Sequence, residues 1–405
     1  MAEFSYRVRD FKGQVHTGFM EADHRSGVIE NLRQQNYFII EIKEKAQRSS
    51  NGFNLQSYLQ PKVTGKDLAL YCRQFATMVD AGLPLLSCLN ILQQQSENKK
   101  MQQVTARVVD SLENGNTLAD SFREHPKQFP AMFINMVEAG ETGGVLDEVL
   151  DRLAVHFEKE HDLNEKVRSA MTYPVVIGIV AVLAVIFLLT FVLPTFTDML
   201  EDMGVPLPLP TRIVIAVSSA FGNYWYLIFL TFGGLAYWGY RYIQTTDGRR
   251  RLDKLKLKLP IFGELQQKMI VSRFSRTLAT LIKGGVPILQ ALEVVKKTSG
   301  NMIVVEGVDQ AQNSIRDGQG MAEPLEKSGV FPPMVSQMIA VGEETGALDR
   351  LLEKISDFYD QEVNTMVSRL SSMIEPVLMV FMGVTVGFIV ISMLLPMFSI
   401  VGNVG

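Results

Sequence analysis

Three long stretches of the chain, at residues 169–197, 213–240 and 376–405, contain no charged residue. An α-helix needs about 20 consecutive apolar residues to cross the hydrocarbon core of a bilayer, and each stretch is long enough. Helices of soluble proteins rarely stay apolar on every face over such a length. The pattern therefore predicts transmembrane helices at 169–197, 213–240 and 376–398, with a short external tail at 399–405. The alternative is a helix buried in a soluble core. This alternative is strongest for the second stretch, because it contains serine and asparagine residues.

Basic residues are concentrated on one side of these stretches. They precede the first and third stretches and follow the second as a run from Arg241 to Lys258, whereas the loop 198–212 is mainly acidic. Lys and Arg next to membrane helices favour the cytoplasmic side. The N-terminus, which lacks the apolar core of a signal peptide, is therefore predicted to be cytoplasmic and the C-terminus external. Within the external loop, the proline-rich segment 204–210 is predicted to be a stiff extended connector.

The two polar segments on either side of the middle stretch are copies of each other. Residues 71–86 align with 274–289 at an offset of 203 (274 minus 71), and residues 140–147 align with 342–349 at an offset of 202 (342 minus 140). The second offset also pairs the prolines at the starts of the first and third stretches. We infer a duplication in which each copy is a soluble unit followed by one outward-going helix. The middle stretch then returns the chain, so that both soluble units lie in the cytoplasm.

Each copy is predicted to be helical. Apolar residues recur at helical spacing, and the Gly-x-Pro sequences at 82–84 and 285–287 separate successive helices. Counting such breaks gives about six helices per copy, packed as antiparallel hairpins in cytoplasmic bundles at 61–168 and 241–375.

Residues 1–60 have a different pattern, in which apolar and polar residues alternate near the start and β-branched residues recur near position 40. This pattern predicts a small strand-containing module, with a flexible linker at 47–52. The predicted fold class is therefore an all-α membrane protein with two duplicated cytoplasmic six-helix bundles, three transmembrane helices and a small N-terminal strand-containing module.

Composition narrows the functional classes. The net charge is -4, so nothing in the overall charge favours nucleic acid. The only cysteines, Cys72 and Cys88, lack the spacing of a zinc site and are predicted to be small buried apolar residues. His156 and His161 lie five positions apart (161 minus 156), too far around a helix to bind one metal ion together. There is no P-loop, and the sequence predicts no catalytic residue and no cofactor.

Several residues are candidates for other roles. The acidic residues Asp147, Glu148 and Asp151 could hold a calcium ion at a contact between chains, or could simply be acids favoured in the first turn of a helix. The glycine-rich turns of both copies could be helix-helix turns required by the fold or could contact a partner directly. Glu375 could be a charge at the lipid headgroups, before a helix that starts at Pro376, or could contact a partner's charge. The candidate partner-binding residues are Gly140, Glu141, Thr142, Gly143, Gly144, Gly342, Glu343, Glu344, Gly346, Glu375, Gly383 and Gly387.

Several motifs together resemble one known family. They are Ala-Gly-Leu-Pro-Leu at 81–85, Gly-Glu-Thr-Gly-Gly-Val-Leu-Asp at 140–147, and Tyr-Pro at 173–174 leading into a charge-free stretch. With the duplication and the three stretches, the chain resembles the type II secretion system F and type IV pilus PilC family of inner-membrane platform proteins. In the second copy, Glu375 replaces the tyrosine of the Tyr-Pro pair, so the two copies are not interchangeable.

The resemblance implies an assembly platform in the bacterial inner membrane. It implies as partners a hexameric cytoplasmic assembly ATPase, pilin or pseudopilin subunits, inner-membrane alignment proteins, the lipid bilayer and further copies of the chain. Gly383 and Gly387, four positions apart, could let the third stretch pack against the apolar helix of a pilin or against itself. A type IV pilus system is preferred over a type II secretion system. A small-molecule permease or channel is disfavoured because no charge lies inside the predicted spans, and an enzyme or receptor because nucleotide and metal motifs are missing.

Overall fold

A computed structural model describes residues 2–9, 15–22, 38–44, 62–196 and 209–403. The chain forms two compact units, residues 1–62 and residues 63–405. The predicted linker at 47–52 and most of the proline-rich connector at 204–210 lie outside the described residues.

The first unit contains a three-stranded antiparallel sheet in the order β2-β1-β3. Its strands are β1 (Ala2–Arg9), β2 (Val15–Ala22) and β3 (Phe38–Glu44). A register irregularity falls between Arg7 and Val8, where β1 pairs with β3, and Val8 is buried.

The first copy of the duplicated region forms six helices: α1 (Gly65–Asp80), α2 (Leu85–Gln95), α3 (Lys99–Glu113), α4 (Leu118–Arg123), α5 (Ala131–Gly143) and α6 (Leu146–Phe187). Local sequence explains their ends. Thr64 and Asp67 form a reciprocal capping box at the start of α1. Gly82 has a φ of 79°, which a side chain would make unfavourable, and Pro84 directly precedes α2.

The second copy repeats this order with six helices: α9 (Phe262–Lys283), α10 (Ile288–Thr298), α11 (Met302–Arg316), α12 (Ala322–Lys327), α13 (Pro333–Thr345) and α14 (Leu348–Asn403). Between the copies lie α7 (Leu209–Ile243) and the basic α8 (Thr246–Lys258). Gly285 and Pro287 separate α9 from α10 in the same way as their counterparts separate α1 from α2. The structure therefore confirms about six helices per copy.

The two copies share one hydrophobic core. A single cluster of buried side chains includes Phe75, Leu150 and Phe133 from the first copy and Leu278 and Ile355 from the second. Polar contacts also cross the boundary, such as the hydrogen bond of 2.8 Å from Gln290 Nε2 to Asn135 Oδ1. The predicted bundles are therefore packed directly against each other.

The last helix of each copy is much longer than the sequence predicts. Helix α6, with a π-helical turn at Leu188–Val192, continues to Phe196, so the predicted boundary at 168/169 lies inside one helix. Helix α14 runs from Leu348 to Asn403, and Pro376 lies in its interior. The prediction of a helix starting at Pro376 is therefore wrong, and the external position of the tail at 399–405 stays a prediction. Proline removes one backbone hydrogen bond, but the rest of a long helix can continue past it.

The apolar halves of α6 and α14 are exposed. Only 6% and 17% of the residues in their most apolar windows are buried, which is the opposite of a soluble core helix. Among the described residues these are the two helices long and apolar enough to cross a membrane. Helix α7 begins at Leu209, inside the predicted loop 198–212, and its helical backbone is interrupted at Tyr224.

Candidate functional site

The glycine-rich turns connect the last two helices of each copy. Gly144 and Gly346 end α5 and α13 with φ values of 70° and 68°, in the left-handed region that favours glycine. Gly140 lies against the next helix, because a Cβ built there would be 3.1 Å from the Cβ of Val149. A Cβ at Gly342 would be 2.9 Å from the Cα of Leu348. These glycines have a packing role in the fold.

The glutamate of each turn caps a short helix. Glu141 accepts hydrogen bonds from the backbone N–H groups of Leu118 and Ala119 at 2.9 and 3.1 Å. In the second copy, Glu343 accepts one from Met321 N at 2.7 Å. A carboxylate at the first N–H groups of a helix satisfies otherwise unpaired donors. Both glutamates therefore stabilise the fold by capping a helix.

The remaining turn residues lie on the surface. Thr142, Gly143 and Glu344 are exposed, and the Thr142 hydroxyl donates a hydrogen bond of 2.7 Å to the carbonyl of Glu138. Glu344 is the charged side chain of this set that is available at the surface. Direct partner contact at the turns stays a prediction.

The acidic residues at the start of α6 do not form a metal site in the described residues, where no group of three His, Cys, Asp or Glu side chains could hold a metal ion. Asp147 and Glu148 lie in the first turn of the helix. Asp151 Oδ1 accepts a hydrogen bond of 2.7 Å from Arg73, and Glu148 pairs with Arg152 at 3.2 Å. The position of Asp147 and Glu148 fits acids in the first turn of a helix, and a calcium ion at a contact between chains stays a prediction.

Three candidates lie on α14. Glu375 is exposed on the helix, one residue before the internal Pro376. At Gly383 and Gly387, no heavy atom lies within 4 Å of the position that a Cβ would take. The pair therefore leaves open space on the apolar half of α14, and its use by a partner stays a prediction.

The comparisons with known proteins agree with the duplication. The family described as type II secretion system (T2SS), protein F, matches residues 71–194 and 274–396, and its N-terminal domain matches residues 1–43. The chain belongs to this family. Each match runs from the first helix of a copy into its apolar segment, and α7 and α8 lie between the two matches. Members of the T2SS protein F family are inner-membrane platform proteins.

Relatives of known name cover the full length of this family member. The type IV pilus assembly protein PilC of Thermus thermophilus is 43% identical, over 100% of this chain and 99% of the relative. PilC of Myxococcus xanthus is 40% identical, over 100% and 96%. The type II secretion system protein F of Pseudomonas aeruginosa is 33% identical, over 100% of each chain.

In each copy of this T2SS protein F family member, one arginine links the first helix to the last helix. The sequence alone did not predict these two contacts. Arg73 of α1 binds Glu158 of α6, with Nε to Oε1 and Nη2 to Oε2 both at 2.7 Å. Arg276 of α9 binds Asp360 of α14. Both arginines lie in the aligned blocks, so their equivalence could have been seen, but their partners lie 85 and 84 positions away.

His156 lies beside Arg276 and is 5% exposed. Burial first, and the positive charge of Arg276 second, lower the pKa of His156 to about 3. The imidazole is therefore neutral at physiological pH. The hydroxyl oxygen of Thr280 is 3.5 Å from Nδ1 of His156.

Proposed function

We propose that this chain is the inner-membrane assembly platform of a type IV pilus machine, where it couples a cytoplasmic hexameric ATPase to the extraction of pilin subunits from the membrane. The observation that supports this proposal best is the continuity of α6 and α14. Each runs from the shared core into an exposed apolar segment. With 51 residues, Leu146–Phe196 is about 75 Å long at 1.5 Å per residue. A helix of this length connects the core to the bilayer without a loop, and its irregular points are Pro174 and the π-helical turn.

The proposed topology has three spans, at 169–197, 213–240 and 376–398, with helical regions 61–168 and 241–375 in the cytoplasm and the loop 198–212 outside. Contacts of α7 support the middle span. The Ser218 hydroxyl donates a hydrogen bond of 2.7 Å to the Leu189 carbonyl of the π-helical turn after α6. Val214 of α7 packs with Leu193 and with Ile389 of α14. Helix α7 therefore contacts the other two predicted spans within their apolar segments.

The names of the relatives favour a pilus over a secretion system. The two PilC relatives above are 43% and 40% identical, against 33% for the protein F of Pseudomonas aeruginosa. The second candidate function, the platform of a type II secretion system, is favoured by the full-length coverage of that protein F. The proposed partners are the assembly ATPase, pilin subunits, alignment proteins of the inner membrane and further copies of the chain.

The test is an insertion that interrupts the continuous helix. Four glycines inserted after Arg168 in α6 are expected to abolish surface pili while the protein still inserts in the membrane and still co-purifies with the ATPase. Gly is a poor helix former, so the insertion uncouples the core from the apolar segment. The control is the same insertion after Gly115, in the exposed turn between α3 and α4.

The outcomes separate the alternatives. Normal piliation with the α6 insertion would contradict transmission through the helix, and failure of the wild-type chain to capture the ATPase would contradict the platform role. A deletion strain that loses secreted proteins but keeps its pili would favour the secretion system. Reporter fusions placed within 70–165 and 270–370 are expected on the same, cytoplasmic face of the bilayer.

A further inference from the structure

The basic helix α8 is held at both ends by tight turns. At its start, the Thr245 hydroxyl accepts a hydrogen bond of 3.1 Å from Gly248 N and donates one of 2.7 Å to the Tyr242 carbonyl at the end of α7. At its end, Gly263 N donates a hydrogen bond of 2.8 Å to the Leu259 carbonyl, which joins α8 closely to α9. The helices on either side therefore determine the position of α8.

Both ends of α8 lie where the predicted spans meet the cytoplasm. Near its start, Arg251 Nη1 donates a hydrogen bond of 3.3 Å to the hydroxyl of Tyr242, whose ring stacks on a tryptophan of α7. Such aromatic residues are common at the headgroup level of a bilayer. Beyond its end, Ile261 lines a surface pocket of about 270 Å³ together with Met373 of α14, three positions before Pro376 (376 minus 373). The axis of α8 therefore runs along the proposed membrane surface.

One side of α8 packs on the second copy. The buried Asp253 accepts a hydrogen bond of 3.0 Å from the backbone N–H of Met302 at the start of α11. Arg250 pairs with Glu306 of α11 at 2.9 Å. The other side carries exposed residues at positions i, i+3, i+4 and i+7, which share one face of a helix. This outer face consists of Arg251, Lys254, Leu255 and Lys258.

The outer face combines positive charge with apolar surface. The ion pairs of α8 among the described residues involve Arg250 and Lys256, so the three basic side chains of the outer face have no carboxylate partner there. Asp247, in the first turn, adds one negative charge near them. Ile261 and Phe262, directly after α8, are about half exposed, and the φ of Ile261 is 67°, which is unfavourable for a β-branched residue. The surface is therefore basic and apolar side by side.

We propose that the outer face of α8 binds the headgroups of anionic phospholipids at the cytoplasmic surface of the bilayer. The phosphodiester groups supply the negative charge that the three basic side chains lack. Leu255, Ile261 and Phe262 enter the boundary between headgroups and acyl chains, as the apolar residues of interfacial helices do. An acidic protein would also satisfy the charges, but the adjacent apolar side chains and the position of both helix ends favour the bilayer. The inference rests on the proposed topology, which sets the level of the membrane.

The first test measures the depth of the outer face. Leu255→Cys in the full-length protein carries a spin label in nanodiscs that contain phosphatidylglycerol, and collisions with oxygen and with a water-soluble nickel complex report its depth. The label is expected at the headgroups, with a higher ratio of oxygen to nickel collisions than at Val341→Cys. Val341 is equally an exposed apolar residue, but it lies beside the turn before α14, at the end of that helix away from the proposed span. Cys72 and Cys88 are buried, so the unmodified chain is the blank.

The second test identifies the lipid. The thermal transition of the full-length protein in detergent is measured with added phosphatidylglycerol or phosphatidylcholine, which differ in headgroup charge. Phosphatidylglycerol is expected to raise the melting temperature more, and high salt is expected to reduce the difference. Changing Arg251, Lys254 and Lys258 together to Gln is expected to abolish most of the difference. The matched control removes the same charge from exposed residues of the second copy that form no ion pair in the described part of the chain: Arg316→Gln, Arg350→Gln and Lys354→Gln.

The outcomes separate lipid, protein and topology. A label in water at Leu255→Cys, or an equal effect of phosphatidylglycerol on the wild type and the outer-face variant, would overturn the proposal. If the outer-face variant instead loses capture of the ATPase while the lipid effect is unchanged, the outer face binds an acidic protein. The reporter fusions described above test the topology separately. Fusions on opposite faces of the bilayer would contradict the topology itself, whereas cytoplasmic fusions combined with a label in water would contradict only the lipid site.

Discussion

The first copy has an aromatic core where the second has a mainly aliphatic one. In the first copy, Phe122, Phe129 and Phe133 pack with ring centroids 4.5 to 4.9 Å apart. At the positions of Phe122 and Phe133 the second copy has Leu325 (325 minus 122 is 203) and Val335 (335 minus 133 is 202). The helix order is nevertheless the same. The duplicated fold therefore tolerates different core side chains provided that apolar residues occupy the same positions.

The largest expected difference between the copies lies in these cores. Phe133→Ala is expected to lower the free energy of unfolding by about 3–5 kcal/mol, because it leaves a cavity beside two other rings. Val335→Ala at the corresponding position removes fewer atoms and is expected to cost about 2 kcal/mol. Thermal denaturation of the full chain in detergent, followed by circular dichroism, measures both. Equal losses would show that the aromatic cluster adds nothing beyond the volume of one apolar side chain.

The second comparison concerns the two capping glutamates. Glu141 accepts two backbone N–H groups and Glu343 accepts one from Met321 in the hydrogen bonds described above. Glu141→Ala is therefore expected to lower the free energy of unfolding by about 2–3 kcal/mol, and Glu343→Ala is expected to lower it by about half of that. The matched control is Glu344→Ala, next to Glu343 but exposed, which is expected to leave the melting temperature unchanged. Loss of ATPase or pilin binding by Glu344→Ala at normal stability would assign partner contact to this turn.

The sequence was sufficient for the duplication, the helix count and the apolar segments because these features are periodic or local. It was misleading at Pro376, since proline is common in the first turn of a helix and its place in the interior of a long helix depends on distant contacts. The capping role of Glu141 could not be predicted, because its target at Leu118 lies 23 positions upstream. For the same reason, the carboxylates that pair with Arg73 and Arg276 could be identified only from the structure. Spacing along the chain does not determine which loops meet.

A third difference between the copies is a titratable side chain that only the first copy has at this position. His156 is buried, and its counterpart in the second copy is Phe358 (358 minus 156 is 202), which is 46% exposed. The pKa of His156 is lowered to about 3, chiefly by burial, whereas an unfolded histidine has a pKa of about 6.5. The unfolded chain therefore binds the proton more readily. The neutral, buried imidazole of His156 therefore contributes to the stability of the folded chain. This contribution is fully present above pH about 6.5 and is lost as the pH falls toward about 3.

Because of the lowered pKa of His156, the free energy of unfolding is expected to fall by about 2 kcal/mol between pH 7 and pH 5. His156→Phe removes this part of the acid-side slope, which chemical denaturation at a series of pH values would measure. His161→Phe, on the same helix but partly buried, is the matched control and is expected to keep the slope. The same slope in His156→Phe and wild type would show that another group causes the acid sensitivity.

The smallest expected effect concerns an ion pair that joins the two copies. Lys159 of α6 and Asp357 of α14 are 2.8 Å apart, and each side chain is 43% exposed. Exposed pairs contribute about 0.2–1 kcal/mol and are screened by salt. A double-mutant cycle with Lys159→Ala and Asp357→Ala is therefore expected to give a coupling free energy in that range at low salt and about zero at high salt. A coupling that stays large at high salt would mean that charge pairs hold the copies together. A small coupling leaves the shared apolar core as the main attraction between them, because burial of apolar surface does not depend on screening.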